Sequence, residues 1–182
     1  SEKAPEGWMP LAQYPRTYEN LGQELRLIDD VDDDVYRNNA ATVRTPPGLK
    51  AALYPYQKTG FQWLAASCDA GIGGILGDEM GLGKTLQVIA MVAERGPRGL
   101  GPTLVVAPVT IIENWCRELS KFAPGIRVYV HRGPNRARYA GAIKDIDLVI
   151  TSYDTAVNDL GLMLMVEWDV LVLDEAQYVK NP

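Results

Sequence analysis

Two cysteines and one histidine are all the thiol and imidazole side chains in this 182-residue chain. Cys68 and Cys116 lie far apart and His131 is near neither, so zinc-site spacing and a disulfide framework are both absent. That usage suits a reducing compartment, the cytoplasm (with the nucleoid) in a prokaryote or the nucleus in a eukaryote. No apolar run is long enough to span a bilayer and no signal-peptide pattern is present, so no membrane partner is expected. A polybasic arm is missing too. Net charge is −5: residues 1–45 carry nine acidic and five basic side chains, and residues 46–182 carry fourteen and thirteen. Any nucleic acid must therefore be held by local contacts rather than steered by bulk charge.

What is present is a large apolar fraction, 47%, spread evenly enough for one globular domain and an appendage. Residues 1–47 read as an acidic extension or linker, with a short helix expected around Leu21–Ile28 and the run Asp29-Asp30-Val31-Asp32-Asp33-Asp34 behind it. Such a run is either solvated surface or a segment that mimics nucleic-acid phosphates. The breaker Thr45-Pro46-Pro47-Gly48 marks the boundary, and residues 48–182 form the expected domain. There strands alternate with helices. Strands are expected at Gly74–Leu76, Thr103–Ala107, Ile126–Val130, Leu148–Thr151 and just before Asp174. Helices are expected at Tyr54–Ala66, after Thr85, from Thr110, at Asn135–Ile143 and at Asp154–Val166. Thr110 with Glu113 has the spacing of a capping box, and Trp115 falls on that helix's apolar face with Ile112, Leu119 and Phe122. This alternation predicts a mainly parallel sheet covered by helices on both faces.

One segment carries chemistry openly: Ile75-Leu-Gly-Asp-Glu-Met-Gly-Leu-Gly-Lys-Thr85, followed at once by an apolar helix. Loop N–H groups and the helix N-terminus would converge on one phosphate, and Gly81 and Gly83 would let the backbone curl round it. Lys84 would reach the β- and γ-phosphates and the Thr85 hydroxyl would hold Mg²⁺. Asp78 stands where the usual phosphate-loop pattern has its first glycine. Ninety residues beyond Lys84, the apolar run Val170–Leu173 ends in Asp174-Glu175. Asp174 would bind Mg²⁺ through water and Glu175 would polarise the attacking water. The nucleotide site is thus Asp78, Gly81, Leu82, Gly83, Lys84 and Thr85 with Asp174 and Glu175.

In order, these motifs resemble the SWI/SNF-type ATPases of helicase superfamily two, over roughly residues 50–182. Leu53-Tyr-Pro-Tyr-Gln57 looks like the glutamine motif, and Gly77-Asp-Glu-Met-Gly-Leu-Gly-Lys-Thr-Leu-Gln87 is similar to this family's motif I, Asp78 included. Leu104–Pro108 running on to Asn114-Trp115 resembles motif Ia, and Val149–Asp154 resembles motif Ib. Asp174-Glu-Ala-Gln177 followed by Lys180-Asn181-Pro182 looks like motif II, with Gln177 where eukaryotic remodellers usually carry His. The resemblance implies a RecA-like first lobe of a longer chain, using ATP and Mg²⁺, with Gln57 reading adenine while Tyr54 or a neighbour packs on the base. It further implies duplex DNA as partner, a second RecA-like lobe of the same parent chain, and a DNA-bound protein as target. Candidate DNA contacts are Thr110, Thr151, Ser152, Arg132 and Arg136. The last two belong to the basic cluster Arg127, His131, Arg132, Arg136 and Arg138, which reads equally as a solvated helix start, with His131 incidental. The chain alone is expected to bind ATP weakly and hydrolyse little. A strand-separating helicase on DNA or RNA, and an ATP-gated assembly module, are the rival readings.

Overall fold

The structure is a computed structural model, and it describes residues 45–71, 73–78 and 81–178. The helix expected near Leu21–Ile28, the acidic run, Glu79-Met80 and Lys180-Asn181-Pro182 lie outside the described residues. In chain order the elements are α1 (Pro55–Asp69), α2 (Lys84–Arg95), β1 (Thr103–Ala107), α3 (Val109–Phe122), β2 (Val128–His131), β3 (Leu148–Ser152), α4 (Tyr153–Asn158), α5 (Leu160–Met163) and β4 (Val170–Leu173). Short 3-10 turns occupy Gly96–Arg98, Ala140–Ile143 and Ala176–Tyr178.

Among the described residues the four strands form one sheet in the order β2-β3-β1-β4, and every neighbouring pair is parallel. β1 is central and buried throughout, with Val105 opposite Ile150 on one side and Val172 on the other. Strand periodicity divides its side chains between the two faces. Val105 and Ala107 pack with Ile89, Met91 and Val92 of α2 and with Ile112, Trp115 and Leu119 of α3. Leu104 and Val106 face the other way, against Ile143, Met163, Tyr129 and Trp168. From Gln87 to Ala93 every residue of α2 is buried, and all of these but Gln87 are apolar, which is why this stretch lies in the core. Each large side chain buried there contributes about 1.5–3 kcal/mol.

Four local expectations give way. Residues 73–78 form no strand, and Ile75 is 80% exposed. Gly73, Gly74 and Gly77 leave that segment few side chains to pack. Gly74 is pressed instead against the Trp63 ring, where a Cβ would come within 2.5 Å. The helix expected at Asn135–Ile143 shrinks to Ala140–Ile143, because the preceding loop satisfies itself. Tyr129 Oη accepts the Ala137 N–H, and Arg136 and Arg138 donate back to the carbonyls of Gly133 and Pro134. The helix expected at Asp154–Val166 divides into α4 and α5 at Asp159, whose carboxylate turns to meet His131 and Arg136. The capping box at Thr110 does not form. Pro108 takes the N-cap position, the helix starts at Val109, and no side chain caps it.

Candidate ATP-binding site

α1 starts cleanly because Pro55 occupies its first turn, where no N–H is needed. Gln57, two residues on, is 5% exposed and its carboxamide is engaged at both ends. Oε1 accepts the Tyr54 N–H at 3.0 Å, and Nε2 donates to the Leu82 carbonyl at 3.1 Å. Gln57 thus ties α1 to the phosphate loop, and reading a base would use its second N–H and second lone pair. Tyr56 Oη donates to the same Leu82 carbonyl, and its ring stacks parallel on that of Tyr54, which is 65% exposed. This exposed aromatic pair beside the loop has the geometry of a platform for a flat ligand.

The loop itself needs its glycines. Gly81 and Gly83 have φ of 86° and 76°, in the left-handed region, and a Cβ on Gly83 would come 2.5 Å from Gln57 Nε2. Gly83 hands directly into α2, so Lys84 and Thr85 open that helix at its positive end. Lys84 Nζ donates to the Asp78 carbonyl at 2.5 Å, and Gln87 Nε2 donates to Asp78 Oδ2 at 2.9 Å. The Asp78 carboxylate therefore has a job that glycine could not do: it braces the loop against α2 through Gln87, beside the carbonyl bond to Lys84. Gln87 is fully buried and, among the described residues, its Oε1 has no hydrogen-bond partner; a Cβ on Gly60 would come within 1.8 Å of that oxygen. Gln87 closes the motif I segment without an assigned role there. Its signal was a polar residue on a helix face otherwise filled by Val88, Ile89 and Met91.

The acidic half sits where β4 ends. Asp174 follows Leu173, and its N–H donates to the Val106 carbonyl at 2.9 Å, extending the ladder by one bond. Among the described residues each carboxylate oxygen takes one donor: Oδ1 the Glu175 N–H at 2.9 Å, Oδ2 the Trp115 Nε1–H at 2.7 Å. Glu175 has φ of 51°, a left-handed conformation that costs a side-chain-bearing residue about 1–3 kcal/mol. Gln177 Nε2 donates to Glu175 Oε2. Tyr153 Oη donates to the Asp174 carbonyl at 2.8 Å; burial first, then the charges of Asp174 and Glu175, push that phenol above its usual pKa. The described bonds brace each half of the site internally, and none of them joins Lys84 to Asp174.

The candidate DNA contacts follow the C-terminal ends of the strands, the edge where open α/β sheets bind ligands. Thr110 is exposed in the first turn of α3 after β1, and Arg132 is exposed directly after β2. Thr151 is fully buried and donates to the His131 carbonyl at 3.0 Å. Ser152 is 6% exposed and caps α4, accepting the Thr155 N–H at 3.2 Å. Arg136 bonds Asp159 through Nε and through a terminal nitrogen at 3.0 Å, and it holds Asp159 far below the usual carboxylate range with His131 assisting. His131, 1% exposed, lies 2.8 Å from the same carboxylate, so it is a core residue with a partner rather than an incidental one.

A cradle of left-handed glycines, a lysine at a helix N-terminus and a strand-end carboxylate define a P-loop nucleotide-binding lobe of the RecA-like class. The donor set fits Mg²⁺: Thr85 and Asp174 offer hard oxygens, and among the described residues no three His, Cys, Asp or Glu converge on one point. A magnesium ion held by one carboxylate and nucleotide phosphates needs no more. Comparison with known proteins is specific. Residues 56–182 match the SNF2-related domain, and the chain belongs to that family. It is 42% identical over 168 residues to YwqA of Bacillus subtilis (strain 168), whose name places it among ATP-dependent helicases or translocases, covering 89% of this chain and 18% of that protein. It is 38% identical over 154 residues to the chromatin-remodeling ATPase INO80 of Arabidopsis thaliana, covering 78% and 10% respectively. The Sulfolobus solfataricus SWI2/SNF2 ATPase core in complex with dsDNA matches with a TM-score of 0.68 and 40% identity, over 77% of this chain and 30% of that one. The chain therefore spans under a fifth of the length of these two curated relatives. No helix among the described residues is long and apolar enough to cross a membrane.

Proposed function

We propose that the chain is the ATP-binding first lobe of a longer ATP-dependent translocase that moves along duplex DNA and remodels or displaces bound proteins. The observation that carries this is the coexistence, in one SNF2-family lobe, of the glycine cradle at Gly81–Lys84 with the carboxylate that ends β4. Lys84 leaves the Asp78 carbonyl to meet the β- and γ-phosphates, while the N–H groups of the loop and of the first turn of α2 cradle them. Thr85 and Asp174 hold Mg²⁺, which when bound supplies charge neutralisation on the phosphates. Glu175 orients the attacking water and accepts its proton. The Tyr54–Tyr56 pair packs on the base.

A second RecA-like lobe contributes the arginine that stabilises the transition state, a contribution worth about 10³–10⁵ in rate. The chain by itself accordingly binds ATP weakly and turns it over near background. Duplex DNA lies along the C-terminal sheet edge with Thr110 and Arg132 on its phosphates, which gives weak sequence preference and strong salt dependence. Ser152, Thr151 and Arg136 support that edge through the bonds they already make. The deciding experiment gives the full-length protein a duplex carrying a bound repressor. The expected result is ATP-dependent release of the repressor with both strands still paired. Separation of the strands would transfer the protein to the helicase reading.

A further inference from the structure

Trp115 was expected to be core, and it is, at 2% exposure among Ile89, Ile112 and Leu119. Packing does not account for its polar atom. A buried indole N–H needs an acceptor, and carbonyls or water serve in most cores. Here the acceptor is the side chain of Asp174, 59 residues away on a different element, at 2.7 Å. That distance is short for N–H···O, as expected when the acceptor is charged.

We propose that Trp115 is the positioning residue of Asp174, setting the carboxylate's orientation for the metal that accompanies the nucleotide. The proposal rests on the reading above, in which Asp174 holds Mg²⁺. With χ1 free, an aspartate at a strand end samples several rotamers. Two donors remove that freedom: the Glu175 N–H on Oδ1 and the indole N–H on Oδ2. Each oxygen keeps a lone pair, and the pair aimed away from α3 and from the turn is the one left for a ligand. The Tyr153 hydroxyl on the Asp174 carbonyl fixes the backbone beneath. Because α3 is anchored by Ile112 and Leu119, the indole is a rigid donor, unlike a solvent-exposed side chain that could relax. Donors of this kind behind a metal ligand typically change metal affinity by about 10–100-fold when removed.

The test uses the full-length protein and binding of a fluorescent ATP analogue titrated against free Mg²⁺, so that turnover is not the readout. Trp115→Phe removes the N–H and keeps an aromatic ring. Replacement of the indole by its benzothiophene isostere removes the same N–H at constant volume and guards against a folding artefact. Both are expected to raise the half-saturating Mg²⁺ concentration about 10-fold, while affinity for the analogue in EDTA stays unchanged. Asp174→Asn is expected to raise it at least as much, and the two substitutions together no further. An unchanged Mg²⁺ requirement in both Trp115 variants, with Asp174→Asn strongly affected, would overturn the proposal and leave Trp115 as packing. Equal weakening with and without Mg²⁺ would overturn it too, as general damage to the site. No effect of Asp174→Asn would overturn the underlying reading instead.

Discussion

Lys84→Ala in the full-length protein is expected to lower DNA-stimulated ATP turnover by about 10²–10³-fold, the cost of removing one preorganised donor from developing transition-state charge. The structure sharpens this expectation. Lys84 already occupies the mouth of the loop, donating to the Asp78 carbonyl at 2.5 Å, while Gln87 secures the Asp78 carboxylate from below. The ammonium is therefore held at the loop before any phosphate arrives. A lysine whose only task was to brace the loop would show a different signature: a lower melting temperature with turnover nearly intact. Steady-state kinetics beside thermal denaturation separate the two outcomes. Full turnover in the Lys84→Ala protein would also bring forward the reading of an ATP-gated assembly module.

Arg95→Ala is expected to cost about 3–5 kcal/mol of folding stability, the largest single effect foreseen outside the site. Arg95 is 5% exposed at the last turn of α2 and grips Asp169 with two bonds, at 2.6 and 2.8 Å. A third bond reaches Asp69 at the end of α1, at 2.6 Å. Its partners' hydrogen bonds, offset by desolvation, raise the guanidinium pKa, so it stays charged at any accessible pH. Alanine would leave Asp169 nearly buried without its cation, whereas Asp69, more exposed, would lose little. Urea unfolding of the chain measures the loss. Arg95→Met with Asp169→Leu should recover most of it, because an apolar pair of similar volume removes the stranded charge. A loss under 1 kcal/mol in Arg95→Ala would contradict the account. The pair also has a geometric consequence. α2 starts at Lys84 and β4 ends at Leu173, just before Asp174, and Arg95–Asp169 joins the opposite ends of those elements.

Much of this was legible in the sequence, and what was not depended on partners. The alternation of β1, α3, β2, β3 and β4 followed from local periodicity, and the phosphate loop from glycine placement. Asp174 could be placed because an apolar strand ended there. Gly74–Leu76 misled, because an apolar triplet carries the strand signal but not the neighbour a strand requires. Asn135–Ile143 misled because the Tyr129 hydroxyl and two arginine side chains offered the loop bonds that a helix would have supplied internally. Trp115 was readable as core but not as a donor to Asp174, since that bond joins positions 59 apart. Thr151, Ser152 and Arg136 were chosen for chemistry suited to phosphates, and each is committed to its own protein's bonds. Side-chain type shows what a residue can do; only the fold shows what it is already doing.

The most direct test is ATP turnover by the full-length protein with no nucleic acid, with blunt duplex DNA, with single-stranded DNA and with RNA. The account predicts stimulation chiefly by the duplex, falling steeply as salt rises. Stimulation by single strands or RNA in place of duplex, or turnover indifferent to all of them, would contradict it.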